Sequence, residues 1–249
     1  ALAQSEANPP RKDARPSAAD RVGMLNILMS GEGRILVTRS DGARVGQDPA
    51  GNIINEIPGA ITQDLLLGSE LNTPPSLLIP HDAGMTYTIS IASTANAFLN
   101  DVSTVDVMLI APGSVVRLQG LALNSGAQSD VSMLGFAPDA NEVTFRTSAL
   151  DGDMPSVLMA FSPGNGPDYT FRVNDVDLGP GQAMRMAFDA ANGKLTLENN
   201  ASAVNTFSLD AERLNPDGSR NLFASATITD GARFGAVLEL GYTWDGVSA

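Results

Sequence analysis

Histidine and acidic side chains are the residues of this sequence whose chemistry suits catalysis or metal binding. His81 is the one histidine among 249 residues, and the chain has no cysteine. A Ser-His-Asp mechanism would therefore need His81, and zinc sites built from two histidines or from thiolates are excluded. No Gly-x-Ser-x-Gly segment presents a serine nucleophile. We expect His81, which follows Pro80, to lie in a solvated turn.

Oxygen ligands for a cation gather in four segments rich in turn residues. They are Asp41 with Asp48, Asp151 with Asp153, Asn174 with Asp175 and Asp177, and Asn215 with Asp217. Calcium takes six to eight oxygen ligands, so Asp151, Asp153, Asp175 and Asp177 are the candidate ligands we single out. No segment has EF-hand spacing, and Asp177 precedes Gly179-Pro180 as a hairpin residue would. Solvated turns are the simpler interpretation, and one calcium-binding loop is the alternative.

A carboxylate pair or an aromatic platform would be the signature of carbohydrate chemistry. With 28 acidic residues some pair could always flank a glycosidic bond. Sugar grooves usually present aromatic rings, and most aromatic residues here fall on the inward phase of predicted strands. Tyr242 and Trp244 are the exceptions, because the last strand can run to an edge. They are candidate ligand-binding residues, with core or edge packing as the simpler interpretation.

Charge and hydropathy exclude several classes of partner. The formal net charge is −13, with 15 basic residues against 28 acidic ones. This balance disfavours nucleic acid and anionic lipid as partners. The longest apolar runs, such as 105–112, are shorter than the ~18 residues that a membrane-spanning helix needs, so we expect no membrane span.

The first 30 residues differ from the rest of the chain. Residues 1–16 form a polar arm with Pro9, Pro10 and Pro16, and the opening Ala-Leu-Ala-Gln resembles the remnant of a signal cleavage site. Residues 17–30 are predicted to form a short α-helix. Ser17 is its cap, and Val22, Leu25, Leu28 and Met29 recur at helical spacing.

The remaining residues predict an all-β fold of two consecutive antiparallel β-sandwiches, immunoglobulin-like or jelly-roll-like. Short β-rich runs alternate apolar and polar residues between Gly, Pro, Asn and Asp turns. The first module spans 31–124, and its clearest strand is 85–92. The polar stretch 124–129 marks a boundary, and the second module spans 125–249. Strands in that module are predicted around Tyr169, Met184, Leu195, Phe207 and Leu238.

Two sequence segments resemble a recurrent module of bacterial secreted and surface proteins. These segments are D-G-A-R-V-G-Q-D-P at 41–49 and N-E-I-P-G-A at 55–60, followed by Y-T-I-S-I at 87–91. The second half is similar to the β-sandwich often found behind that module. Such modules sit downstream of α/β-hydrolase or adhesion-type domains. The resemblance implies an architecture and an extracellular or periplasmic location, and it carries over no catalytic residue.

These patterns together predict a non-catalytic extracellular accessory or interaction module. Its partner would be a protein or polysaccharide surface, and the arm at 4–16 could support a homo-oligomer by lying across a neighbour. No cofactor is expected apart from the calcium alternative. A carbohydrate-binding module that uses Tyr242 and Trp244 is the first alternative, and a hydrolase that uses His81 or a carboxylate pair is the second.

Overall fold

The protein was analysed as a computed structural model. The structure describes residues 23–31, 33–63, 76–81, 85–93, 102–124, 128–133, 141–147, 156–162, 166–175, 182–189, 194–199, 205–230 and 236–241. These residues form eighteen β-strands, and the described part of the chain contains no helix. The all-β prediction is therefore confirmed.

Eighteen strands build two antiparallel sheets of nine strands each. In spatial order, sheet I consists of β17 (Arg220–Asp230), β16 (Asn205–Leu214), β13 (Asp168–Asn174), β12 (Ser156–Phe161), β9 (Ser114–Asn124), β8 (Val102–Ala111), β1 (Met24–Gly31), β6 (Ser76–Pro80) and β5 (Ile61–Gln63). Sheet II consists of β18 (Ala236–Gly241), β15 (Lys194–Asn199), β14 (Ala183–Asp189), β11 (Asn141–Thr147), β10 (Gln128–Met133), β7 (Tyr87–Ser93), β2 (Gly33–Arg39), β3 (Arg44–Gln47) and β4 (Ile53–Asn55).

From β8 onward the chain adds strands to the two sheets in turn. The hairpins β8–β9, β12–β13 and β16–β17 extend sheet I, while β10–β11 and β14–β15 extend sheet II. Each new hairpin pairs with the previous hairpin of its own sheet, as β12 does with β9 and β14 with β11. Both sheets therefore grow in the same direction as the sequence proceeds.

One hydrophobic core lies between the sheets and contains alternate residues of most described strands. Leu25, Ile27 and Met29 of β1 are buried, and so are Ile89 and Ile91 of β7 in the opposite sheet. Phe188 of β14 shows the contact directly. Its ring centroid lies 4.6 Å from that of Tyr169, 4.7 Å from Phe171 and 5.8 Å from Phe161, all on sheet I.

The short helix predicted at 17–30 is not confirmed. Residues 17–22 lie outside the described residues, and Met24–Gly31 is strand β1 near the middle of sheet I. The helical spacing of Leu25, Leu28 and Met29 coexists with a two-residue alternation of Leu25, Ile27 and Met29, which are the buried residues. Pairing with β6 and β8 decides between the two periods, because it satisfies the backbone groups on both sides of β1.

The predicted division into two sandwiches at residues 124 and 125 is likewise not confirmed. Strand β9 ends at Asn124 and pairs with β12 of the second half, and β10 pairs with β7 of the first half. Both nine-stranded sheets thus contain strands from both halves. Within the stretch 124–129, Asn124 ends β9 of sheet I and Gln128 begins β10 of sheet II.

We expect Phe188→Ala to destabilise the protein strongly, because it removes a ring that packs against three aromatic rings of the other sheet. The expected loss in free energy of unfolding is about 3–5 kcal/mol, measured by denaturant titration. Leu222→Ala is the control, since Leu222 is 66% exposed, and it should change stability by less than about 0.5 kcal/mol. Equal effects of the two substitutions would contradict the shared core.

Candidate functional site

The outer face of sheet I carries an aliphatic patch that the strand register brings together. One cross-strand row is Leu78, Asn26, Ile110, Val115, Ala160, Thr170, Glu212 and Leu222. The next row is Leu28, Met108, Arg117, Leu158, Arg172 and Asp210. From β6 to β12 the two rows contain seven aliphatic residues: Leu28, Leu78, Met108, Ile110, Val115, Leu158 and Ala160. We call these seven residues the aliphatic patch.

Sheet II turns a different set of side chains away from the core. Its described outward residues include Thr38, Thr88, Ser90, Thr144 and Thr196, with apolar residues only rarely among them. An alternation of buried apolar and wet polar residues is the ordinary pattern of an antiparallel sheet with one solvated face. Sheet II therefore follows that pattern, and sheet I departs from it.

A charged cluster adds to the polar character of sheet II. Arg185 of β14 donates to Glu142 of β11 at 2.7 Å and to Glu198 of β15 at 3.0 Å. The Arg185 hydrogen bond lowers the pKa of Glu142, and the Glu142 carboxylate in turn raises the pKa of Arg185 above its ordinary value. One arginine thus links three neighbouring strands across the surface.

A groove of about 410 Å³ borders the aliphatic patch on sheet I. Small residues dominate its lining, namely Gly113, Ala160, Ser162 and Thr170. In the cross-strand row, Val115 lies on one side of Ala160 and Thr170, and Glu212 lies on the other. The groove exists because small side chains stand next to larger ones on the same face.

The lining residues Gly113 and Ser162 hold the turn beside the groove. The Ser162 amide donates to the Gly113 carbonyl at 2.8 Å, and Gly113 has φ +73°. A Cβ atom at position 113 would lie 2.9 Å from the Ser162 carbonyl oxygen. Glycine is therefore needed here, both for the backbone conformation and for the close approach of β12 to the β8–β9 turn.

A second, smaller hollow of about 230 Å³ continues from the groove toward strand β17. The two hollows share Thr170 and Glu212, and the second is also lined by Arg172, Asp210 and Leu222. Glu212 forms an ion pair with Arg220, in which Oε1 and Nη1 are 3.3 Å apart. Charged residues thus dominate the β13, β16 and β17 end of the face, while the β6 to β12 end is aliphatic apart from Asn26, Arg117 and Asp106.

Polar residues border the aliphatic patch in the third cross-strand row of sheet I, which contains Ser156, Asn174 and Ser208. Ser156 donates to the Asn174 Oδ1 atom at 2.6 Å, and the Asn174 amide donates to Ser208 at 3.3 Å. Ser208 donates to Asp175 at 3.4 Å, and Asp175 has φ +64°. The Asp175 side chain is thereby bound to Ser208 of β16, the strand next to β13.

The structure places the residues singled out from the sequence as follows. His81 directly follows β6, and its amide donates to the Gly23 carbonyl at 2.7 Å, away from the groove. Asp175 lies at the end of β13. Asp151, Asp153, Asp177, Tyr242 and Trp244 lie outside the described residues. Within the described ranges, no group of three or more His, Asp or Glu side chains could hold a metal ion.

The segment 41–60, which contains the two motifs that resemble secreted bacterial modules, forms β3, β4 and the turns around them at the edge of sheet II. Arg39 donates to Asp41 at 2.6 and 3.0 Å, and Arg44 binds Glu56 at 2.9 Å. Asp48 accepts hydrogen bonds from the backbone and side-chain nitrogens of Asn52, both at 2.8 Å. These acids stabilise turns between β2, β3 and β4, so we assign this segment a structural role.

The sequence analysis missed the aliphatic patch. The signal was present as apolar runs in which both strand phases are apolar, such as Val107–Ala111 in β8 and Val157–Phe161 in β12. A continuous apolar run is typical of a strand whose two faces are both covered. The length of these runs excludes a membrane-spanning helix, but their apolar outward phase also predicts a covered outer face. In the described part of the chain no helix is long and apolar enough to cross a membrane.

Comparison of the chain with protein-family models, curated proteins and solved structures finds no match. The resemblance to secreted bacterial modules therefore stays a prediction.

We expect the Asp41 turn to make stability depend on pH in the acid range. Hydrogen bonds from the Arg39 guanidinium and the Ala43 amide lower the pKa of Asp41 from 3.8 to about 2. A carboxyl whose pKa is lowered by folding stabilises the protein above its unfolded pKa, and this contribution is lost as the pH falls through the folded pKa.

Asp41→Asn should therefore lower the melting temperature slightly at neutral pH, because the exposed ion pair contributes little. The difference from the wild type should shrink as the pH falls from 3.8 toward about 2. Thermal unfolding followed by circular dichroism at several pH values measures this. A difference that is the same at pH 7 and at about pH 2 would contradict the assigned cause.

Proposed function

We propose that the chain is a non-catalytic interaction module, an accessory unit of an extracellular or periplasmic protein, and that it binds a partner through the outer face of sheet I. One observation supports this most strongly. Six residues of the aliphatic patch are half-buried on the outer side of sheet I and Leu78 is 5% exposed, while the described outward residues of sheet II are mostly polar. Contiguous apolar surface on a soluble protein marks a contact site.

The form of the site also favours contact over catalysis. The groove beside the patch is lined mainly by apolar and small residues, and His81 lies elsewhere on the sheet. Asp168 and Glu212 are the carboxylates of its lining, and Glu212 is paired with Arg220. An extended sheet face with a shallow, largely apolar groove provides area for a protein surface.

The proposed extracellular or periplasmic location rests on the resemblance of the segments 41–49 and 55–60 to secreted modules. The carbohydrate-binding alternative depends on Tyr242 and Trp244, and no geometry of the described residues favours it.

We expect the wild-type protein to bind an apolar fluorescent dye through the aliphatic patch. Val115→Glu should abolish most of the dye fluorescence, because it places a charge between Ile110 and Ala160 in the cross-strand row. Thr144→Glu on the outer face of sheet II is the matched control and should leave dye binding unchanged. Circular dichroism of both variants verifies that they are folded. Equal dye binding by Val115→Glu and the wild type would refute the assigned surface.

An activity screen tests the non-catalytic part of the proposal. We expect no turnover of ester or glycoside substrates by the wild type. Reproducible hydrolysis that is lost in Asp168→Asn or in His81→Ala would establish an enzyme and contradict the proposal.

A further inference from the structure

We propose that the outer face of sheet I binds the same face of a second copy of this chain. The inference rests on the proposed function, since it names the partner of the same surface. Three observations support a second copy over an unrelated protein: the complementary relief of the face, its area, and the local pairing of its charges.

Large and small side chains lie side by side on this face. The large residues Met108, Ile110 and Val115 belong to β8 and β9, and the small residues Ala160, Ser162 and Thr170 line the groove along β12 and β13. The face therefore has a ridge next to a groove. A two-fold axis maps one half of a surface onto the other, so a ridge beside a groove is complementary to itself.

The strand order defines where such an axis would run. An axis parallel to the strands, between β9 and β12, places β8 over the partner's β13 and β9 over the partner's β12. Ile110 then faces the partner's Thr170, and Val115 faces the partner's Ala160.

The face is large enough for a stable contact. The eight strands that this axis pairs, β17 to β6, are spaced about 4.8 Å apart and present roughly 780 Å² with about six residues of about 3.4 Å each. A standard protein interface buries about 800 Å² on each partner. Sheets that pack face to face in this way lie about 10 Å apart, as the two sheets of one chain do in ordinary sandwiches.

Charges on the face are balanced within one chain. Arg117 binds Asp106 at 3.1 Å, and Arg220 binds Glu212 at 3.3 Å. Arg172 lies directly opposite Asp210 in the register of β13 and β16. Each copy carries a formal charge of −13, which makes two copies repel one another. They can still approach through this face, because its arginines have acidic neighbours and the charges of the face are balanced locally.

The exposed edge of sheet I offers a less suitable contact. Among the described strands, β17 pairs only with β16. The register between the two strands shifts between Phe207 and Leu209 of β16. Such an irregularity interrupts the regular ladder that an added strand needs, and it is a device by which edge strands avoid pairing. The sheet face is therefore the surface we assign.

The first experiment measures the mass of the full chain in solution by sedimentation equilibrium. We expect the wild type to reach twice its 25.9 kDa at high protein concentration. Ala160→Arg fills the groove with a charged side chain and should weaken the dimer by at least about thirtyfold. Ala187→Arg is the matched control, because Ala187 is also a half-buried outward alanine but lies on sheet II, and it should leave the dimer unchanged.

A second experiment tests the orientation with cysteines introduced into the cysteine-free chain. Each of the variants Ile110→Cys and Thr170→Cys carries a single cysteine, so no link can form within one chain. Facing sheets lie about 10 Å apart, which is too far for a direct disulfide, so a bismaleimide reagent of about that span should couple the two variants into a cross-linked heterodimer when they are mixed. Thr88→Cys mixed with Thr144→Cys, both on sheet II, should yield little.

The outcomes separate this inference from the proposed function. A dimer that Ala160→Arg breaks and Ala187→Arg keeps, with the 110–170 cross-link, supports the second copy. If Ala160→Arg fails to fold, Met108→Glu replaces it, with the same expected loss of the dimer. A wild type that stays monomeric at all concentrations but binds the apolar dye in a way that Val115→Glu abolishes overturns the second copy and leaves another protein as partner. A wild type that shows neither property overturns both.

Discussion

Burial of alternate residues from two facing sheets is the constraint on which the rest of this structure depends. Each strand contributes about every second residue to one shared core, and Phe188 of sheet II packs against three aromatic rings of sheet I. The side-chain period of a strand is two, so a shift by one residue would move a whole strand's apolar set to the other face. The core thereby determines the register of both sheets and, with it, which residues meet on the outer faces.

Because the core dictates only the inward residues, the outward residues are free to serve another purpose. Sheet II uses them for solvation, with threonines, serines and the Arg185 cluster. Sheet I uses many of them for a second layer of aliphatic side chains around Met108 and Leu158. Water solvates such a layer poorly, and covering it is favourable by roughly 25 cal/mol per Å². The contrast between the two outer faces is the reason we infer a partner for one of them.

The turns at the edge of sheet II show how acidic residues stabilise turn geometry. Asp41, Asp48 and Glu56 each hold neighbouring backbone or arginine groups, and their pKa values are lowered by those hydrogen bonds. In this segment the acidic residues that the sequence offered as possible ligands therefore stabilise turns. The strands β4 and β5 at this end of the two sheets have three residues each, which limits the edge that another chain could pair with.

The sequence alone determined that the chain is all-β, because alternation and turn residues are local properties. It also located many strands, including β7, β13 and β14, close to where they lie. Strand β1 was mistaken for a helix, because in so short a segment the same leucines and methionine satisfy both periods. The apolar runs of β8 and β12 are visible in the sequence, but the sequence does not show what the outward-facing apolar residues of these strands contact.

Only the tertiary structure decided which strands are neighbours, and therefore what the outer faces contain. Ile110 and Thr170 are sixty residues apart in the chain, yet the pairings β8–β9, β9–β12 and β12–β13 place them in one row. The same pairings carry both sheets across the polar stretch at 124–129, where composition predicted a boundary. Composition and period act within a segment, whereas the aliphatic patch and its groove arise from long-range hydrogen bonding between segments.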